Sequence, residues 1–397
     1  FSTLFFEKGI LSISDDNIVF SHTSILEFYL AEYARSNEEF LNFMIQKGNR
    51  IYFKNEICFY SGLVPDCKKL LDSMADTIIE TILNNIEIID TLNNIEIITD
   101  FKIEKDELIK KLEENRPTQK EIDDMSNSSQ KEVTPDEFSK KKSPVLLEIK
   151  QNSQDSENIE EEIAQQEAEN FYVLVSIYGS ILKNAELLDN SDKVQHLENY
   201  MYAMNILLGE IFALAEVIKK EIPFEDFIKE KQEEGKELTQ EDFEKSKELF
   251  LEMIKVSFPI ALQHVILENV GTPKLEVAID ELMGQKEDKP FEKFMLEFLK
   301  CDLNVGNVMS ELHRYIQKET SEGILKLIFM KLLFYYRMRF FGTNTQIYNS
   351  ILDLIIEVQI KLNPEKSSTL SKAFKGNRSI VRKEFAKQIE KNQSIEL

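Results

Sequence analysis

The chain opens with apolar runs at 10–13 and 18–20, separated by Ser14-Asp15-Asp16-Asn17. Those four residue types favour turns by bonding side chain to backbone, so the pattern predicts a hairpin. Ser24 followed by Glu27 fits a capping box, and Leu26, Leu30 and Tyr33 then recur at helical spacing up to Ala34. Asn37 is the expected cap of a second helix that stops at Gly48. A third is expected over 50–60, ending at Ser61-Gly62. Pro65-Asp66 opens a fourth, with Cys67, Leu71, Met74, Ile78 and Ile82 on one stripe.

After Leu83 the text duplicates itself. Asn84-Asn85-Ile86-Glu87-Ile88-Ile89 returns as Asn93-Asn94-Ile95-Glu96-Ile97-Ile98, two copies being too few for a solenoid. Residues 113–169 hold sixteen acidic and seven basic side chains and a single aromatic, Phe138. Such a stretch buries too little apolar area to offset its conformational entropy, so a flexible acidic linker is expected, with a transient helix near 159–169. From Asn170 the spacing is almost purely helical. Val194, Leu197, Met201, Met204, Leu208, Ile211, Ala215 and Ile218 alternate steps of three and four and draw one apolar seam. Helix stops are expected at Pro223, Gly235, Pro259, Gly271-Thr272-Pro273, Gly284, Pro290, Gly306, Gly323, Gly342 and Asn363-Pro364.

The fold class is therefore mainly α: a short N-terminal β-hairpin, then an α-helical bundle or irregular α-solenoid interrupted by the acidic linker. The expected divisions are 1–63, 64–112, 113–169, 170–362 and 363–397. Only 12 Gly and 9 Pro in 397 residues agree with a helix-rich chain. A net charge of −23 opposes broad adhesion to nucleic acid or anionic lipid. Cys58, Cys67 and Cys301 are an odd, scattered set, which points to a reduced, cytoplasmic setting without a disulfide framework or zinc knuckle. The most apolar stretch, 324–341, carries Lys326, Lys331, Arg337 and Arg339. Four cations are costly in lipid, so a buried helix is expected rather than a membrane span. The chain starts at Phe1 and runs directly into the first extended segment, with no leader pattern before it; the expectation is a piece of a longer protein.

Candidate chemistry is sparse. His196, His264 and His313 are far apart, with nothing at helical metal-site spacing that stands out from the acidic background, and structural roles are expected. The carboxylates of 221–252, twelve acidic against five basic, read either as a cation site or, more simply, as a solvated helix face. Residues 361–397 reverse the charge, with nine basic and four acidic side chains. They offer either a contact surface for nucleic acid or an acidic partner, or the basic end of a helical array paired with acidic neighbours. No acid, base and nucleophile are grouped, so no enzyme is expected. His22 differs, because it stands where a strand gives way to a helix N-terminus. Free N–H groups and the helix dipole there favour an anion, and His22 is either a phosphate contact or a junction histidine bonded to backbone.

The string around His22 resembles the closing motif of the winged-helix domain in NACHT-type STAND nucleotide triphosphatases. Phe20, His22, Ser24, Ile25, Glu27, Phe28, Tyr29 and Ala31 fall on that pattern in order, and the preceding hairpin looks like the wing. The resemblance covers roughly 1–63. It implies that His22 contacts the terminal phosphate of bound ADP in a resting state, while Phe20, Ser24, Glu27, Phe28 and Ala31 are structural. No G-x-x-x-x-G-K-[ST] string exists in the chain, so the resemblance places the P-loop, ATP or ADP and magnesium in an upstream nucleotide-binding domain. It further implies a helical sensor that takes a protein trigger, homo-oligomerisation on activation, and a part in prokaryotic signalling or antiviral defence, with no membrane partner. Nucleic acid is expected only at the basic tail, if anywhere. A helical interaction scaffold with no nucleotide link is the other reading of the same residues.

Overall fold

In the computed structural model, strand β1 (Leu11–Ser14) pairs antiparallel with β2 (Asn17–Phe20). The register runs from Leu11 opposite Phe20 to Ser14 opposite Asn17, which leaves a two-residue connection. The structure describes residues 5–6, 8–14, 17–97, 156–221, 239–303, 308–338 and 345–363, with 382 and 386, and side chains of the 156–184 helix from 170 onward. Residues 113–155 of the expected linker, the stops at Pro223, Gly235, Gly306 and Gly342, and nearly all of the basic tail lie outside them. The described chain is mainly α with this one hairpin.

Two compact units divide the chain, Phe1–Glu80 with Pro117–Tyr200, and Thr81–Arg116 with Met201–Leu397. In the first, α1 (Thr23–Ser36) packs on α2 (Glu38–Ile45) and more extensively on α3 (Lys54–Leu63). Ala31 and Ala34, small and buried, let the α1 and α3 backbones approach. Asn37 caps α2, accepting from Phe40 N at 2.9 Å. Residues 50–53, expected as the start of α3, form turns instead, and α3 begins at Lys54. In α4 (Lys68–Asn84) the stripe Leu71, Met74, Ile78 is fully buried, with Cys67 just before it. Helix α6 (Ser156–Asn184) covers α3, and Asn184 Nδ2 donates to Ser61 Oγ at 2.9 Å.

The second unit holds α5 (Ile86–Asn93) and most of α7 (Asn190–Glu221), which begins in the first unit. Along α7 the seam is buried at Val194, Leu197, Met201, Met204, Leu208 and Ala215, while Ile211 is half-buried and Ile218 is 38% exposed. Helix α8 (Gln240–Val270) opens with a full capping box between Thr239 and Asp242. It runs straight through Pro259, the expected stop. The proline removes one helical N–H bond, about 3 kcal/mol in a free helix. Burial of Leu251 and Val256 before it and Leu262, Ile266 and Val270 after it outweighs that cost. Then come α9 (Glu276–Gln285), entered through a short 3-10 turn at Pro273–Leu275, α10 (Pro290–Leu303), α11 (Val308–Lys318), α12 (Glu322–Arg337) and α13 (Thr345–Leu362). Helix α10 touches α5, α8, α9, α11 and α12 and is the centre of this unit, with Phe291, Phe294 and Phe298 wholly buried. Helix α12 is buried over most of its length, as expected for the stretch with four cations. By length and composition alone, Asn190–Lys220 and Gln240–Val270 could each cross a membrane, a test that buried core helices also pass.

Candidate functional site at the hairpin–helix junction

The hairpin sets the entry angle of α1. Ser21 N donates to Ile10 O at 2.9 Å, closing the sheet one residue beyond β2. His22 then takes an extended conformation, φ −134° and ψ 135°, as the N-cap of α1. Its imidazole makes no capping bond, is exposed and has no hydrogen-bond partner among the described residues. The first-turn N–H groups of any helix lack intrahelical acceptors, so an exposed ring and unpaired donors share one end of α1.

The capping box expected from Ser24 and Glu27 does not form. The helix starts two residues earlier, with His22 as its cap, which puts Ser24 inside the first turn and Glu27 beyond the reach of the cap. Glu27 accepts instead from Asn55 Nδ2 at 2.8 Å and ties α1 to α3. Phe20 contacts Tyr29 at 6.1 Å between ring centres, and Phe28 meets Tyr29 and Phe59 edge-on at 5.9 and 6.2 Å. Phe28 and Tyr29 remain 39% and 44% exposed. Ala31 is buried. The motif residues are thus gathered toward the hairpin end of α1; the side-chain polar atoms of His22, Ser24 and Tyr29 have no partner among the described residues, and of these His22 stands at the cap.

These residues suit a single contact to an oxyanion. They do not form a magnesium site, for the nearest motif carboxylate is engaged with Asn55. Among the described residues, no group of three or more His, Cys, Asp or Glu is arranged to hold a metal ion.

The other histidines have structural surroundings. His196 is buried, with Nδ1 2.6 Å from the Tyr178 hydroxyl and Nε2 3.5 Å from Asp72 Oδ1. That arrangement suits a neutral ring that accepts from tyrosine and turns Nε2–H toward the carboxylate. Burial lowers the His196 pKa, with Asp72 opposing. His313 lies 3.0 Å from Glu357, and exposed His264 3.6 Å from Glu268, one helical turn on. Burial pushes the Cys67 thiol up to about 11 and Cys301 well above its ordinary range, which leaves both unreactive.

Sequence reading missed two polar clusters in the second unit, because each hides inside an apolar helix. Lys331 Nζ lies 3.0 Å from Asp302 Oδ2, both side chains almost wholly buried, and the Tyr335 hydroxyl donates to Asp302 Oδ1 at 2.5 Å. On α10, buried Lys300 bridges Asp280 at 2.6 Å and Glu311 at 2.9 Å, one turn from buried Glu297. A lysine or glutamate at a core position of a strongly apolar helix is the signal that would have found them. From the basic tail, Arg382 forms a paired contact with Asp353 on α13, in line with the reading of basic end against acidic neighbour. No protein-family model, curated protein or solved structure matches the chain.

Proposed function

We propose that this chain is the regulatory, ligand-sensing portion of a NACHT-type STAND nucleotide triphosphatase, read from the end of its winged-helix domain into a helical sensor. One observation carries the reading: at a strand-to-helix junction whose string resembles the family's motif, His22 is exposed, extended and unpaired among the described residues at the N-terminus of α1. A histidine needed only for local structure would be expected to spend a ring nitrogen on the neighbouring backbone. In this role His22 contacts the terminal phosphate of ADP held by an upstream P-loop domain, which also supplies magnesium. Phe20, Phe28 and Ala31 fix the junction, and Glu27 acts through its bond to α3.

The chain itself then performs no catalysis. The helical region takes a protein trigger, its engagement releases the His22 contact, and protomers assemble in the cytoplasm to signal, with antiviral defence as the setting. The test is His22→Ala in the P-loop-containing protein, with ADP release and basal activity measured. Faster release or raised activity is expected. Unchanged ADP retention sinks the assignment and leaves a helical scaffold without a nucleotide link.

A further inference from the structure

Helices α9, α10 and α11 enclose a cleft of about 310 Å³ within the second unit, remote in sequence from His22 and independent of its role. Each helix contributes a stripe at helical spacing. Lys293, Glu297 and Lys300 come from α10, and Glu311, Arg314 and Lys318 from α11, while α9 adds Asp280, Met283 and Gly284 and the turn after it Glu287. Lys300 is already committed to Asp280 and Glu311. Lys293, Arg314 and Lys318 make no ion pair among the described residues.

Glu297 is the anomaly. It is 5% exposed, lines the cleft, and has no hydrogen bond or ion pair among the described residues. A carboxyl on a residue this buried, with neither kind of bond, is costly to ionise unless a ligand meets it. We propose that this cleft binds a small phosphomonoester, whose oxygens accept from Arg314, Lys293 and Lys318 while the protonated Glu297 carboxyl donates to one of them. A tetrahedral dianion fits better than a flat monocarboxylate, because it presents acceptors to α10 and α11 at once.

Charge makes the binding proton-linked. The cleft's four cations face four carboxylates, so with Glu297 ionised it is neutral and offers an anion no net attraction. Burial, then the facing Glu311 carboxylate and Asp280, raise Glu297 to about 7 against the pull of Lys300 and Lys293. An anion therefore brings a proton with it. For a ligand that does not titrate, affinity should fall about tenfold from pH 6 to pH 8.

Equilibrium dialysis of the whole chain with radiolabelled sulfate, and separately with inorganic phosphate, at low ionic strength tests this. One saturable site is expected, with sulfate affinity falling over that pH range. Arg314→Gln should weaken it about tenfold, the scale of a lost charged hydrogen bond. Gly284→Trp should abolish it by filling the cleft, since Gly284 lines it and a Cβ added there meets no atom within 4 Å. Glu297→Gln should bind equally at both pH values. Absence of saturable binding, binding that survives Gly284→Trp, or a pH profile unchanged by Glu297→Gln each overturns the proposal. Circular dichroism of each variant establishes that it is folded.

Discussion

Replacing Asp302 by Ala would strand a buried lysine. Lys331 Nζ has Asp302 Oδ2 at 3.0 Å as its ion partner, and the two side chains are 2% and 1% exposed. Two rings remain after the substitution, Tyr335 at 5.0 Å and Phe334 at 5.5 Å, and cation–π attraction returns only about 1–2 kcal/mol. Breaking one half of a buried pair typically costs about 3–5 kcal/mol, and the Tyr335 hydroxyl also loses its acceptor. Asp302→Ala should therefore destabilise the unit by about 3–5 kcal/mol near neutral pH. The double variant Asp302→Leu, Lys331→Met removes both charges and should restore most of the loss, since the pair's own desolvation nearly cancels its attraction.

The pH dependence supplies a sign. Burial already lowers the Lys331 pKa even with Asp302 present, and the single variant depresses it further. In that variant the penalty is complete below the folded pKa, where lysine is charged in both states. It shrinks by about 1.4 kcal/mol per pH unit as pH rises from there toward the unfolded value near 10.5. With two units in the chain, a single melting curve averages unlike transitions, so hydrogen exchange on peptides spanning 291–303 and 324–337 is the appropriate reading. A loss under about 1 kcal/mol that is flat with pH would refute this account, because it would mean that Lys331 reaches water.

Gly323→Ala should loosen the start of α12, since its Cβ would fall 2.5 Å from the Ile95 carbonyl oxygen. About 1–3 kcal/mol is expected, read as faster exchange over 95–97. Acid should weaken the first unit through His196: its folded pKa is depressed, so the stability is complete above the ordinary value of 6.5. That stability is lost by up to about 1.4 kcal/mol per unit as pH falls from there through the folded value. Hydrogen exchange on first-unit peptides spanning 171–200, in wild type and His196→Asn between pH 5 and 7 and corrected for the intrinsic pH dependence of exchange, checks this, and parallel profiles would contradict it.

Most helices were legible because they are amphipathic and their ends carry their own chemistry. Asn37 caps α2, Leu71, Met74 and Ile78 line the buried side of α4, and Pro290 stands at the first position of α10. Errors fell where tertiary packing overrode a local sign. Pro259 is a strong stop in isolation, yet apolar burial on both sides carries α8 past it. Ser24 and Glu27 have the spacing of a cap, but the hairpin delivers the chain to α1 with His22 already in the capping position. At the candidate site, the identity of His22 was readable from the string, while its uncommitted ring was not. No pattern in one sequence announces which side chains lack a partner.

The duplicated peptide isolates this limit. Both copies read Asn-Asn-Ile-Glu-Ile-Ile, so intrinsic propensity is the same for each. The first lies at the start of α5, where Ile88 meets Gly209, Ile89 is buried, and the following Asp90 and Asn93 reach Lys289 and Glu292. The second leaves the helix at Asn94, and residues 95–97 have no regular structure. Gly323 admits the Ile95 carbonyl at close range, and Lys326 Nζ donates to Ile97 O at 2.6 Å. A backbone carbonyl inside a helix is already spent on an N–H four residues on, whereas the one at Ile97 is taken by a buried ammonium. Lys326 thus serves the packing of 95–97, and a cation that counted only against a membrane span in the sequence becomes the partner that holds the second copy out of the helical state.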